Sequence, residues 1–398
     1  MKLQRTAAAL LLAASPFLMG ADRSCVRELP ADSIVVESAI PVSGFVLDES
    51  SQRVAAQVEL RVNGVSQGLV DADLNGDFIY PSVPLALGRN VLTGTTQRLV
   101  DGQLVTGSLV RQLVTRRDDL LFRGRQDVCF EYTPLADQRL DEIANGSLAG
   151  APFAPEALTE FRAAVKGHID QIFDRIYAPF DVRRIASCPV AGDVVRVRFE
   201  DADPVLAPNA FGTSFDLLNL AASVPDFNNQ IKQQTVRVFV GRFKQLIVDD
   251  GQLLSETPAT LADAPSDRAR QVARGIARTA AHEVGHTLGL VLHTTFLQDL
   301  AAELGIPVQT LEQVALSLGL TLPLPDLEGC QTGHNCPDVD LADSAARRFN
   351  RGFFVMDAGP GVETFARFGF GSRTNAQEVL AGFNSFNTSY LRILHPKP

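Results

Sequence analysis

The chain has 398 residues, 45% of them hydrophobic and 21% charged, with a formal net charge of −10. These figures exclude a disordered or collagen-like chain and allow two or three domains with full cores. With 46 acidic against 36 basic residues they also exclude a general nucleic-acid binder, whose electrostatic footprint is basic. Lys2 and Arg5 precede an apolar stretch from Thr6 to Met19, broken by Pro16 and followed by the small residues Gly20 and Ala21. That is the pattern of an export signal over residues 1–21, which places the mature chain in the cell envelope or outside the cell. The stretch falls short of the ~20 residues of a membrane span, so no span is expected. Cys25 stands where a lipid-anchored cysteine would sit, but Asp22-Arg23-Ser24 are not the small apolar run such processing uses.

From residue 31 to 114 apolar and polar residues alternate in short runs, which predicts strands. Candidates are Ser33 to Val46, Val54 to Val62, Phe78 to Tyr80, Asn90 to Gln97 and Gln103 to Val114. Asn63-Gly64 closes one hairpin, because both residues tolerate positive φ. The phrase Asp71-Ala-Asp73-Leu-Asn75-Gly76-Asp77 reads as a turn of Asx residues and Gly before a strand. A calcium loop would require a Glu at its twelfth position, where this chain has Ser82. Short strands at this spacing predict a small all-β sandwich, and the segment resembles the bacterial immunoglobulin-like modules of secreted enzymes.

Residues 115–127, opening with Thr115-Arg116-Arg117-Asp118-Asp119, read as a charged linker to a second domain over 128–398. There Pro155 to Tyr177 carries Leu158, Phe161, Val165, Ile169, Ile172, Phe173 and Ile176 at helical spacing. Asp193 to Glu200 and Gln234 to Phe243 alternate as strands. Ser266 and Asp267, good capping residues after Pro265, open a long helix reaching about Leu288. The expected class is α+β.

On that helix stands His282-Glu283-Val284-Gly285-His286-Thr287-Leu288-Gly289, with His293 four residues further on. Residues four apart on a helix share a face, so His282 and His286 can aim two imidazoles at one ion. Glu283 flanks the same site, placed to take a proton from water rather than to ligate. Gly289 suits a helix ending in a left-handed turn, after which His293 can return as a third nitrogen. Three protein ligands and an open position make a hydrolytic rather than a structural zinc site.

These residues resemble the metzincin clan of zinc endopeptidases, with HExxHxxGxxH and a downstream Met-containing turn. Phe353-Phe354-Val355-Met356-Asp357-Ala358-Gly359 matches that turn, and Phe211 to Asn228 resembles secreted bacterial members, including pappalysin-like ones. The resemblance implies a metzincin-like catalytic domain with one catalytic Zn2+, an apolar floor from Met356, a protein or peptide substrate and Glu283 as general base. It also implies that the strand before the active helix, near Thr235 to Val240, pairs with an extended substrate. The chain departs from the clan in having three residues, Leu290-Val291-Leu292, between Gly289 and His293. Glu303 stays open as another third ligand. Ala358 stands where some members carry a Tyr. A non-catalytic surface or adhesion protein that keeps the zinc scaffold is the alternative function.

Five Cys complete the reading. Cys330 and Cys336 enclose a loop short enough for a local disulfide, the alternative being a second metal site with His334. Cys129 and Cys188 remain as a second pair, leaving Cys25 over. His168 reads as a surface or packed residue, and His395 has no partner visible in the sequence.

Overall fold

Alternating Val, Ile and Leu build the first part of the molecule, and mixed helix and strand the second. The chain divides between Asp119 and Leu120. The computed structural model describes residues 23–26, 33–48, 50–109, 112–118, 120–147, 153–202, 211–214, 229, 231–249, 265–290, 307, 355–356, 382–383 and 385–398.

The first unit holds β1 (Arg23–Val26), β2 (Ser33–Val35), β3 (Ala39–Leu47), β4 (Gln57–Val62), β5 (Val65–Asp71), β6 (Asp77–Pro84), β7 (Gly88–Val100), β8 (Gln103–Leu109) and β9 (Gln112–Arg116). They follow the hydrogen-bonded path β2-β9-β7-β8-β1-β3-β6, while β4 lies between β5 and β7. Along β3 and β4 every second residue is buried, and Val42, Val46, Val58, Leu60, Phe78 and Leu92 share one core. The result is a sandwich-like β unit, as the alternation predicts. Asn63 and Gly64, at φ 51° and 82°, make the two-residue turn that sets Val62 opposite Val65. The buried Tyr80 hydroxyl of β6 donates to the Val58 carbonyl at 2.7 Å and accepts from the Leu60 amide at 2.9 Å, tying β6 to β4. Asp73 Oδ1 accepts from the amides of Asn75 and Asp77, so the Asp71–Asp77 phrase is an Asx turn.

Two expected boundaries shift. The β unit begins before residue 31, because β1 pairs along β3 with Cys25 opposite Phe45. Strands enter the expected linker 115–127 at both ends, up to Arg116 and from Gln126 onward. Thr115 and Arg116 extend β9 against β2, and the amides of Arg123 and Gly124 donate to the Leu394 carbonyl. Local polarity suggested a linker, but strand pairing and backbone capping override it.

The second unit holds β10 (Gln126–Tyr132), α1 (Pro134–Ser147), α2 (Pro155–Tyr177), β11 (Val182–Ile185), β12 (Val194–Glu200), β13 (Gly212–Thr213) and β14 (Gln234–Phe239). After these come α3 (Val240–Lys244), which runs into a π turn at Gln245–Asp249, then α4 (Pro265–Thr287) and α5 (Ser385–Leu394). The sheet order is β11-β10-β12-β14-β13, parallel except for β13. Parallel neighbours need long crossovers, so helices alternate with strands and the unit is a mixed α/β sheet rather than segregated α+β. Val195, Val197, Phe199, Val236 and Val238 are fully buried along its centre.

The helix that carries the His pair is α4. Its buried face is mostly small, with Ala269, Ala273, Ala277, Ala280 and Ala281, which lets it approach α2 closely. From α2 the large side chains Phe173, Ile176 and Tyr177 fill that contact. Cys129 and Cys188 form the disulfide that the pairing of leftover cysteines suggested.

His395, fully buried at the chain's end, has partners that the sequence hid. Its Nδ1 donates to the Gly124 carbonyl, and its Nε2 accepts from Asn229 Nδ2, which also donates to Gln126 Oε1. Burial holds its pKa down to about 4 against an ordinary 6.5, with Lys232 and Arg123 pushing the same way and Asp181 opposing. Between those values the unfolded chain binds the proton and the folded chain does not. Stability is therefore full above about 6.5 and falls with acid toward about 4, by up to ~3 kcal/mol. Urea unfolding at pH 7 and pH 4.5 measures this. The acid loss should shrink in His395→Gln, and an equal loss in both proteins would assign it to other groups.

Candidate metal centre

The last turn of α4 ends in a Schellman arrangement. Leu290 N–H donates to the Gly285 carbonyl at 3.0 Å and Gly289 N–H to the His286 carbonyl at 3.1 Å, with Gly289 at φ 93°. Glycine adopts that conformation without steric cost, which is the helix stop that Gly289 predicts. Reversal of the chain there turns the Leu290 carbonyl back onto the helix, where it lies 2.7 Å from His286 Nδ1. The carbonyl of Val355 meets His282 Nδ1 at 2.8 Å. A carbonyl only accepts, so each Nδ1 carries the ring hydrogen and each Nε2 presents a lone pair.

Those two Nε2 atoms stand 3.1 Å apart, on rings inclined at 87°. Facing lone pairs at that distance repel unless a proton or a cation lies between them. Tetrahedral zinc with bonds of about 2.0–2.1 Å separates two nitrogens by about 3.3 Å. Donor type, tautomer and spacing all fit a divalent transition metal, and the carbonyl partners are the outer support that metal-bound histidines use. Among the described residues no third His, Cys, Asp or Glu completes a metal-binding group with them.

Glu283, on the same turn, packs against Gly212 of β13 and is only 7% exposed. Burial pushes its carboxyl up to about 8, while the Ser214 N–H donated to it pulls the other way. A cation beside it would lower it further. The approach of β13 is close enough to require glycine. A Cβ on Gly212 would lie 2.8 Å from both Glu283 Cγ and Thr279 Cγ2. Neither Gly212 nor Ser214 has a periodic signal in a two-residue strand, so sequence reasoning missed their contact with Glu283.

Met356 is fully buried under the helix, its Sδ 2.7 Å from where a Cβ on Gly285 would stand. It is the neighbour of Val355, so a single dipeptide packs beneath the helix and orients His282. The structure thus brings together His282, Glu283, His286 and Met356. His293, Glu303, Ala358, Cys330, His334 and Cys336 lie outside the described residues, so neither the third ligand nor the Cys330–Cys336 bridge is placed. His168 is half-buried on α2. Thr235 to Val240 does not offer a free edge as expected: β14 is hydrogen-bonded to β12 on one side and β13 on the other, and the edge of this sheet next to α4 is β13.

No family model matches the sequence, and no curated protein matches it. Among solved structures, the CARDB domain of a Pyrococcus furiosus protein is 12% identical, over 25% of this chain and 96% of that one, at a TM-score of 0.18. A Bacteroides uniformis beta-glucuronidase is 20% identical over 24% of this chain and 10% of that one, at 0.15. A Ruminococcus gnavus beta-glucuronidase is 9% identical over 74% of this chain and 42% of that one, at 0.19. TM-scores this low carry no argument about fold or activity, and the reading of the site rests on its own residues.

Ala is favoured over Gly in a helix by about 1 kcal/mol, yet Gly285→Ala should destabilise the protein by about 1–3 kcal/mol, because its methyl meets buried Met356. Denaturant unfolding reads this directly. A gain in stability would show that Met356 does not press on Gly285.

Proposed function

We propose that the chain is an exported zinc-dependent endopeptidase of metzincin type, its catalytic unit following an immunoglobulin-like β module. One observation carries this reading: two histidines one helical turn apart, each with Nδ1 committed to a backbone carbonyl, aim their Nε2 atoms at a shared point. Glu283 on the same turn and Met356 beneath the helix are further members of the set that the sequence resemblance implies. His293 is the favoured third ligand, with Glu303 the competitor.

Zinc, when bound, supplies Lewis-acid polarisation of a carbonyl and brings the pKa of water toward about 7. The protein's own residues do the rest. His282 and His286 hold their lone pairs in fixed tautomers. Glu283 takes the proton of the attacking water on its carboxylate and returns it to the leaving amine. Ser214 N–H hydrogen-bonds that carboxylate. The extended substrate pairs with β13, the last strand in the sheet order among the described residues. No helix among the described residues is long and apolar enough to cross a membrane.

Hydrolysis of a denatured protein substrate tests the proposal. Glu283→Gln should keep its zinc and lose about a hundred- to ten-thousand-fold in turnover. Full activity in that variant removes Glu283 from the mechanism. Zinc retained by the wild type without any hydrolysis favours the non-catalytic scaffold. His293→Ala should release the metal, and zinc lost instead from Glu303→Ala would reassign the third ligand.

A further inference from the structure

The dipeptide Gly382-Phe383, just before α5, reaches His282 by two routes. Along the backbone, Val355 N–H donates to the Gly382 carbonyl at 2.9 Å, and the Val355 carbonyl in turn accepts from His282 Nδ1. Through side chains, the Phe383 ring lies 5.3 Å from that of Tyr177 and 5.8 Å from that of Phe180. The Tyr177 hydroxyl donates to the Ala281 carbonyl at 2.8 Å. That carbonyl belongs to the peptide whose nitrogen is His282's own. One route therefore ends on the imidazole of His282 and the other on its backbone plane.

The hydroxyl of Tyr177 is not explained by packing. The residue is almost fully buried, at 1% exposure, among Phe173, Phe180 and Phe383, where phenylalanine would fill the same space without a polar group to satisfy. Nor does Ala281 need the bond, since a mid-helix carbonyl already accepts the N–H four residues on. What the bond adds is orientation, applied one peptide before the first histidine.

The strap itself is well anchored. It leads into α5, whose Tyr390, Leu391 and Leu394 are buried, and then into the His395 network and the bridge between Phe180 and Pro396. Phe180 thus touches both the strap's ring and the chain's end.

We propose that Tyr177 and the Gly382-Phe383 strap are positioning residues for the paired-histidine site, setting the backbone plane and the ring of His282 together. This rests on the metal reading given above and adds that the C-terminal segment belongs to the site's support. Supports of this kind govern how tightly the ligands grip an ion, by ten- to a hundredfold.

Competitive chelator titration of the full-length chain with zinc, together with the visible absorption of its Co2+ form, tests this. Tyr177→Phe and Phe383→Leu should each weaken zinc about tenfold or more and change the Co2+ bands. The control is Phe130→Leu, a comparable loss in the same unit, where Phe130 packs edge-on against Phe173 and Phe199. It should lower thermal stability and leave zinc affinity and the Co2+ spectrum unchanged. If Phe383→Leu fails to fold, Tyr177→Phe decides alone, since it removes one oxygen from a filled core. Wild-type affinity and spectrum in Tyr177→Phe, or equal weakening in Phe130→Leu, overturns the positioning role and leaves the metal reading standing. A wild-type chain that takes up neither zinc nor Co2+ overturns the metal reading itself.

Discussion

Two imidazoles whose Nδ1 hydrogens are already given to carbonyl groups can bring their Nε2 atoms together only with a proton or a cation between them. The Nε2 atoms of His282 and His286 stand 3.1 Å apart, and the surrounding structure holds them there. Much of the second unit is arranged around that constraint. The Schellman stop at Gly289 turns the Leu290 carbonyl onto one ring, and Val355 brings another carbonyl to the second ring. A site that uses packing and backbone geometry to face two imidazole Nε2 atoms toward each other suits a cation.

Close approach is the second theme. The histidine-bearing helix buries alanines toward α2, Gly285 leaves room for Met356, and Gly212 lets a two-residue edge strand lie over Glu283. In each place a side chain is missing where another must pass. Exclusion of water from Glu283 raises its pKa, and the Ser214 amide keeps it oriented. The strand that covers the carboxylate is also the one that ends the sheet order among the described residues.

Local patterns told much of this in advance, and non-local ones did not. The helix at Pro155–Tyr177 ends where its apolar spacing ends, and the Asn63-Gly64 turn forms as its conformational freedom requires. The strands at Val194–Glu200 and Gln234–Phe239 alternate, so they could be read, but their neighbours could not. Strand order depends on crossovers, and Gly212–Thr213 is too short to show any period. α1 was missed because Asp137, Gln138, Arg139, Asp141 and Glu142 dilute its apolar face. His395 looked isolated because its partners, Gly124 and Asn229, are 271 and 166 residues away. Of the site, His282, Glu283 and His286 were legible from spacing, whereas Tyr177, Ser214, Val355 and Phe383 act through contacts that no spacing encodes.

The central claim is that His282 and His286 bind one metal ion together. X-ray absorption at the zinc edge of the zinc-loaded full-length chain tests it most directly. The account predicts a first shell of nitrogen and oxygen only, at about 2.0 Å, with multiple scattering from at least two imidazoles. A shell containing sulfur at about 2.3 Å would move the metal to cysteine ligands. That result, or a shell without imidazole, would contradict the account.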